Sequence, residues 1–132
     1  MMSPSMLLTL FNAERNEFAK YFPKAREAQL AISNRECSIG GRCGLRDLGW
    51  AYDGDHTVTL LRRSLTLPDN RIVGLIRHEL GHLADPYINE PGAEQRADDI
   101  AEMVSGQQIR YDADDIQTVG RGKYPRPLYL HR

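Results

Sequence analysis

Several features that place a chain in a specialised class are missing here. The 132 residues include only two cysteines, too few for the disulfide scaffold of a small secreted domain. No run approaches the roughly 18 apolar residues that cross a bilayer, and the first residues lack the basic segment and cleavage site of a signal peptide. We therefore expect a soluble, cytoplasmic protein without a membrane partner.

An excess of charge of one sign is also lacking. Seventeen Lys and Arg stand against eighteen Asp and Glu, for a net charge of −1. No basic stretch is interleaved with aromatic residues, so nucleic acid is not expected as a partner. Apolar residues at 41% and charged residues at 27% are enough for a core and a solvated surface. The length fits a single domain, residues 1–132, and leaves the oligomeric state open.

The two cysteines, Cys37 and Cys43, flank a turn signal at Gly40-Gly41. Their spacing does not match the two-residue gap of a zinc knuckle. In a cytosolic protein we interpret them as reduced, packed thiols. A disulfide bridge and a second metal site are the alternatives.

The hydrophobic pattern predicts an α+β fold with a small, mostly antiparallel sheet. An Asp-Gly-Asp turn predicts a hairpin, and Val58 and Leu60 are expected on one face of its second strand. Asp69 is expected to cap the helix that follows. The last residues, 119–132, predict an extended strap that could lie over the cleft and occlude it. The predicted helices are residues 5–22, 69–84 and 91–106, and the predicted strands are residues 28–34, 45–52 and 56–67.

A short motif, His78-Glu79-Leu80-Gly81-His82, lies inside the second predicted helix. Histidines four residues apart project from one helix face and can bind a single ion. Glu79 falls inside the apolar arc of this helix, where a carboxylate is unfavourable unless it is paired or used. The alternative interpretation is two surface histidines and a glutamate paired with an arginine. The arc consists of Ile72, Leu75, Ile76, Leu80 and Leu83.

A catalytic metal site needs a third protein ligand, and the next helix offers one. Glu94 and Asp98 lie one turn apart at the border of its apolar stripe, so two helices packed by their stripes would bring them to the histidines. Glu94 is then the third ligand, and Asp98 accepts the spare ring N–H of a ligand histidine. An ordinary solvated pair is the alternative, and Asp99 is expected at the surface.

Other third ligands are less well placed. His56 lies upstream in a hairpin turn, and His131 is the penultimate residue. The longer pattern with a glycine and a third histidine fails, because Asp85 and Ile88 occupy those positions.

The spacing His78-Glu79-x-x-His82 followed by Glu94-x-x-Ala97-Asp98 resembles the gluzincin branch of the zincin metallopeptidases, in particular the minigluzincins and the ImmA/IrrE-type peptidases. The architecture upstream resembles that of SprT-like zincins, although no downstream histidine ligand is present. The resemblance covers about residues 75–104. It implies a zincin-like fold with an N-terminal helix, one catalytic Zn²⁺, peptide-bond hydrolysis, and a cleft between an edge strand and the motif helix.

The function expected from these residues is that of a zinc metalloendopeptidase acting on a peptide or protein. His78, His82 and Glu94 hold the metal, and Glu79 is the general base for a zinc-bound water. Residues 56–67 are a candidate edge strand for the substrate. The alternatives are a purely structural zinc site and a catalytically silent zincin-like regulatory or partner-binding protein, for example one associated with a phage. The oxyanion donor is expected among Tyr111, Tyr87 and Tyr124, with Tyr111 first.

Overall fold

The computed structural model describes residues 1–35 and 48–109. Four sequence-based predictions lie outside these residues. They are the state of Cys37 and Cys43, the turn at Gly40-Gly41, the tyrosines Tyr111 and Tyr124, and the strap at residues 119–132.

The first helix, α1, runs from Pro4 to Tyr21. Ser3 is its N-cap, and the Ser3 hydroxyl accepts a hydrogen bond from the Met6 N–H at 3.2 Å. A proline follows in the first helical position, where its missing N–H has no consequence. The helix ends before Pro23, as predicted, and a 3₁₀ turn from Pro23 to Glu27 leads to the sheet.

The sheet has three short strands, β1 (Gln29–Ser33), β2 (Gly49–Tyr52) and β3 (Thr57–Leu61), in the order β1-β3-β2. The tight turn between β2 and β3 makes that pair antiparallel, with Trp50 opposite Thr59. On the other side, β1 pairs with β3 in parallel, with Ala31 opposite Thr59. The sheet is therefore mixed, and the expectation of a mostly antiparallel sheet is wrong.

The central position of β3 overturns two further expectations. Because β3 has a partner on each side, residues 56–67 are not an edge strand. The strand also ends at Leu61, and a 3₁₀ turn from Arg62 to Thr66 follows it. Apolar residues continue through this turn because it buries Leu65, so the hydrophobic pattern alone does not show where the strand ends. The predicted face is confirmed, since Val58 and Leu60 are fully buried.

The second helix, α2, runs from Asp69 to Ala84 and ends at Asp85-Pro86, as predicted. Asp69 is its first residue and not its cap, because Pro68 occupies the capping position without a side-chain hydrogen bond. The third helix, α3, runs from Ala93 to Ser105. It starts after Gly92, whose φ of +85° no helical residue adopts, and it ends at Gly106 with a φ of +72°.

The core forms where α1, the sheet and α2 meet. All five apolar residues of the predicted α2 arc are fully buried there. From α1, Leu7, Phe11 and Phe18 contribute the largest buried side chains. Within the described residues, none of the helices combines the length and apolarity needed to span a bilayer. The structure is thus α+β, with three helices and a small mixed sheet in the described part.

Candidate metal centre

The two motif histidines converge on the side of α2 that faces α3. His78 and His82 are one helical turn apart, and their Nε2 atoms lie 3.2 Å from each other. The rings meet edge to face with centroids 4.7 Å apart. His78 is 1% exposed and His82 is 9% exposed. Two buried imidazoles therefore present their outer nitrogens to the same point.

The close approach of α3 depends on Gly81, the residue directly before the second histidine. A Cβ at this position would lie 2.2 Å from the main-chain oxygen of Ala97. That distance is impossible for a real side chain, and the colliding atom belongs to a helix backbone, which cannot rotate away. Glycine at position 81 therefore lets the two helix backbones touch beside the histidines.

This contact brings Glu94, in the first turn of α3, onto both imidazoles. One carboxylate oxygen lies 3.1 Å from His78 Nε2, and the other lies 2.7 Å from His82 Nε2. The Glu94 side chain is 53% exposed. The carboxylate therefore closes one side of the cluster while leaving the cluster in contact with solvent.

Asp98, one turn further along α3, lies on the other side of the same ring. Its Oδ1 is 2.7 Å from His78 Nδ1, and both side chains are buried. A carboxylate in this position accepts a hydrogen bond from the Nδ1–H and fixes the orientation of the ring. The His78 Nε2 atom then points toward Glu94 and His82.

Glu79 is a buried carboxylate beside the two imidazoles. It is 3% exposed, as the apolar arc of α2 predicts. Among the described residues, none donates a hydrogen bond to its carboxylate. Burial raises its pKa, an effect that the neighbouring positive charges of His78 and His82 only partly oppose.

The pKa values of His78 and Glu94 are shifted in opposite directions. Burial disfavours a charged His78, but hydrogen bonds to Asp98 and Glu94 outweigh burial and raise its pKa to about 10. Hydrogen bonds from His78 and His82 hold the pKa of Glu94 well below its ordinary value. Without an ion, the cluster is thus a positively charged imidazole held between carboxylates.

The cluster has the residue types and the spacing of a metal site. Ligand atoms of His78, Glu79 and His82 all lie within 4.8 Å of one another, so this group could hold a metal ion. The Glu94 oxygens lie 3.1 Å from His78 Nε2 and 2.7 Å from His82 Nε2, which is also within 4.8 Å. All four residues singled out from the sequence, and Asp98 with them, therefore meet at one place.

Two features of the surroundings were not anticipated. Asp99, expected at the surface, is 1% exposed, and its Oδ1 accepts a hydrogen bond from Gln95 Nε2 at 3.1 Å. Asp85 and Arg96 form a buried ion pair beside the histidines, with 2.8 Å between Asp85 Oδ2 and Arg96 Nε. The sequence signal for this ion pair was Arg96 itself, an arginine in the buried stretch of α3. The hydrophobic pattern does not identify its partner. Tyr87 enters this region through its main chain, which bonds to both members of the pair.

No protein-family model matches the chain, and neither a curated protein nor a solved structure matches it. The likeness to gluzincins therefore depends on the spacing of the motif residues.

Proposed function

We propose that this protein is a zinc-dependent metallopeptidase of the gluzincin type. The observation that carries the proposal is that the Nε2 atoms of His78 and His82 meet the carboxylate of Glu94. Zinc prefers donors of these types. The buried carboxylate of Glu79 lies beside them, where it could act as a base.

The distances within the cluster suit a zinc ion. Ligand atoms at 2.0–2.1 Å in a tetrahedron lie about 3.3 Å from one another. The nitrogens of His78 and His82 are 3.2 Å apart, and the Glu94 oxygens lie 3.1 and 2.7 Å from them. Small outward movements of a half-exposed carboxylate would complete the ligand set. These three residues would therefore hold the metal.

Glu94 and Glu79 both lie near the imidazoles, and their surroundings suggest different roles. Glu94 touches both Nε2 atoms and has a lowered pKa, as expected of a ligand that is always ionised. Glu79 has a raised pKa because it is buried, which favours a group that takes up and releases a proton. A purely structural site would have no use for a second buried carboxylate.

The chemistry follows from these roles. A bound Zn²⁺ would polarise the scissile carbonyl and lower the pKa of water toward neutrality. Glu79 accepts the proton of the attacking water on its carboxylate and donates it to the nitrogen of the leaving amine. Asp98 holds His78 in the tautomer whose Nε2 is free to bind.

The substrate would bind along β2 and not along β3. Among the described residues, β2 pairs with β3 on one side only. It also packs against α2, where a Cβ on Gly49 would lie 3.5 Å from Leu75. An extended peptide could therefore add to this edge by main-chain hydrogen bonds, close to the motif helix. A peptide complex with the ligand on another surface would remove this part of the proposal.

The test separates metal from catalysis. Purified protein should contain zinc by elemental analysis, and it should cleave members of a peptide library in a reaction that a chelator stops. Glu79→Gln should retain zinc but lose activity by about 100- to 10,000-fold. Glu14→Gln, a glutamate of α1 paired with Arg77, is the matched control and should remain active. Zinc-loaded protein that cleaves no peptide, or Glu79→Gln at the parent rate, would contradict the peptidase.

A further inference from the structure

We propose that the buried Asp85–Arg96 ion pair is a clamp that positions Glu94 for the metal. The inference rests on the proposed function, because it assigns a supporting role at the same site. The Asp85 carboxylate bonds to Tyr87 and Arg96 and not to a ligand side chain, so both members of the pair are positioning residues and act through Glu94.

Asp85 connects the clamp to the end of the histidine helix. Its own N–H donates to the carbonyls of Gly81 and His82, in the last turn of α2. Its carboxylate is fully buried and uses both oxygens: Oδ1 accepts from the Tyr87 N–H, and Oδ2 accepts from Arg96 Nε, each at 2.8 Å. The carboxylate therefore has a fixed position relative to His82.

Asp85 is also held from the opposite side. Lys24 donates to the Asp85 main-chain oxygen at 2.8 Å and lies 2.9 Å from the carboxylate of Asp53, in the hairpin turn. Three separate elements thus meet at Asp85: the 3₁₀ turn after α1, the hairpin, and α2. The bonds of Asp85 to Lys24 and to the end of α2 involve no residue of α3.

Arg96 connects the clamp to Glu94, which lies two residues earlier on α3. Its guanidinium donates to the carbonyls of Tyr87, Glu90 and Pro91, in addition to Asp85. The loop between α2 and α3 is therefore folded around one planar group, whose fork of donors suits several acceptors at fixed angles.

Within the described residues, α3 begins without a side-chain cap on its first turn. Its N-cap is Gly92, which offers no side-chain hydrogen bond to the first turn. Glu94 itself is half exposed, so its own packing holds it weakly. Arg96 therefore fixes the start of α3 by binding the preceding loop to an anchored aspartate, and the Glu94 carboxylate reaches His78 and His82 from that fixed backbone.

The main test compares two carboxylate–arginine ion pairs, Asp85–Arg96 and Glu14–Arg77. In Asp85→Asn, one amide oxygen replaces two acceptors, so either Tyr87 or Arg96 loses its partner. Glu14→Gln makes the same change at the Glu14–Arg77 pair, where both carboxylate oxygens also accept, between α1 and α2. The readouts are the Kd for Co²⁺, the visible spectrum of the bound Co²⁺, and the thermal midpoint of the metal-free protein.

We expect Asp85→Asn to weaken Co²⁺ binding by about 10- to 100-fold and to change the spectrum, since outer partners of metal ligands have effects of this size. Glu14→Gln should lower the thermal midpoint but change the Kd by less than about threefold. Equal losses of affinity in both variants, or a parent-like Kd and spectrum for Asp85→Asn, would overturn the clamp.

A double-mutant cycle shows whether the clamp acts through Glu94. In a Glu94→Ala background, Asp85→Asn should cause no further loss of Co²⁺ affinity. A loss of the same size as in the parent would mean that the pair does not act through Glu94. If Asp85→Asn fails to fold, Arg96→Lys provides the same cycle with a milder change, because lysine keeps the charge but lacks the planar fork.

Metal binding and hydrolysis are measured separately, so the two proposals fail separately. Parent protein that binds Co²⁺ but cleaves no peptide contradicts the peptidase and leaves the clamp in place. Parent-like Co²⁺ binding in both clamp variants contradicts the clamp and leaves the peptidase. Parent protein that binds neither Co²⁺ nor Zn²⁺ contradicts both.

Discussion

Helix α2 has two different neighbours, α1 on one side and α3 on another. Toward α1 the shared interior is apolar, with Phe11 and Phe18 fully buried and the Glu14–Arg77 ion pair at the margin. Toward α3 the helices touch through small residues and bury carboxylates, imidazoles and a guanidinium.

The energetic consequences of the two contacts differ. Burying apolar groups stabilises the fold, at about 25 cal/mol per Å². Burying charged groups costs free energy unless each is paired with good geometry, and even then apolar residues of similar size often do as well. The contact with α1 is therefore expected to contribute more to stability than the contact with α3.

The largest expected effects come from one substitution on each face. His82→Ala should weaken zinc binding by about 1000-fold, because one of three ligands is lost. Phe11→Ala should lower the free energy of unfolding by about 3–5 kcal/mol through a core cavity. Competition with a chromophoric chelator and urea unfolding measure the two quantities. The comparison fails if Phe11→Ala, while still folded, loses zinc affinity to the same degree as His82→Ala.

The crossing of α2 and α3 can be tested at its closest point. Gly81→Ala should lower the free energy of unfolding by about 2–3 kcal/mol and weaken zinc binding, because the new methyl group meets the backbone of Ala97. Gly54→Ala is the control, since a Cβ there meets only the ring of the exposed Tyr52. Urea unfolding of both variants provides the measurement. Equal stabilities for the two would contradict the tight crossing.

A smaller effect on metal affinity is expected from Asp98, whose carboxylate bonds to the ring nitrogen of His78 that faces away from Glu94. Asp98→Ala removes the acceptor from His78 Nδ1 and should weaken zinc binding by about 10- to 100-fold. Asn at the same position keeps one acceptor oxygen and should restore part of the affinity. Chelator competition distinguishes the two variants, and identical affinities for both would argue against a role for Asp98 in orienting the ring.

A last comparison is the pH dependence of stability in the metal-free protein, prepared with a chelator. The raised pKa of His78 contributes stability that is complete below its ordinary value of 6.5 and is lost as pH rises through about 10. The raised pKa of Glu79 acts in the same direction, since its ionised form is penalised by burial. The lowered pKa of Glu94 contributes stability that is present above 4.5 and is lost in strong acid.

Urea unfolding at a series of pH values should therefore show the metal-free protein losing stability from neutral to alkaline pH. Glu79→Gln should remove part of this loss and be more stable than the parent at pH 8–9, because a neutral amide replaces a buried carboxylate. A parent and a variant with parallel pH profiles would show that burial of Glu79 has no energetic consequence.

Local patterns in the sequence were enough for much of the site. The spacing of His78 and His82 places two imidazoles on one helix face wherever that helix lies, because four residues are close to one turn. The position of Glu79 in an apolar arc predicts its burial for the same reason, and the structure confirms it. Asp85-Pro86 and Gly106 predict where α2 and α3 end, because each restricts the backbone locally.

Only the tertiary structure decided several other contacts between elements that are distant in the sequence. The parallel pairing of β1 with β3 puts β3 in the middle of the sheet, and pairing across the chain leaves no local pattern. Asp99 is buried although the helical pattern places it away from the seam between α2 and α3, and the bond between Asp85 and Arg96 depends on how a loop folds around a guanidinium. Helical periodicity is a property of neighbouring residues, whereas partner choice across elements depends on packing of the whole chain.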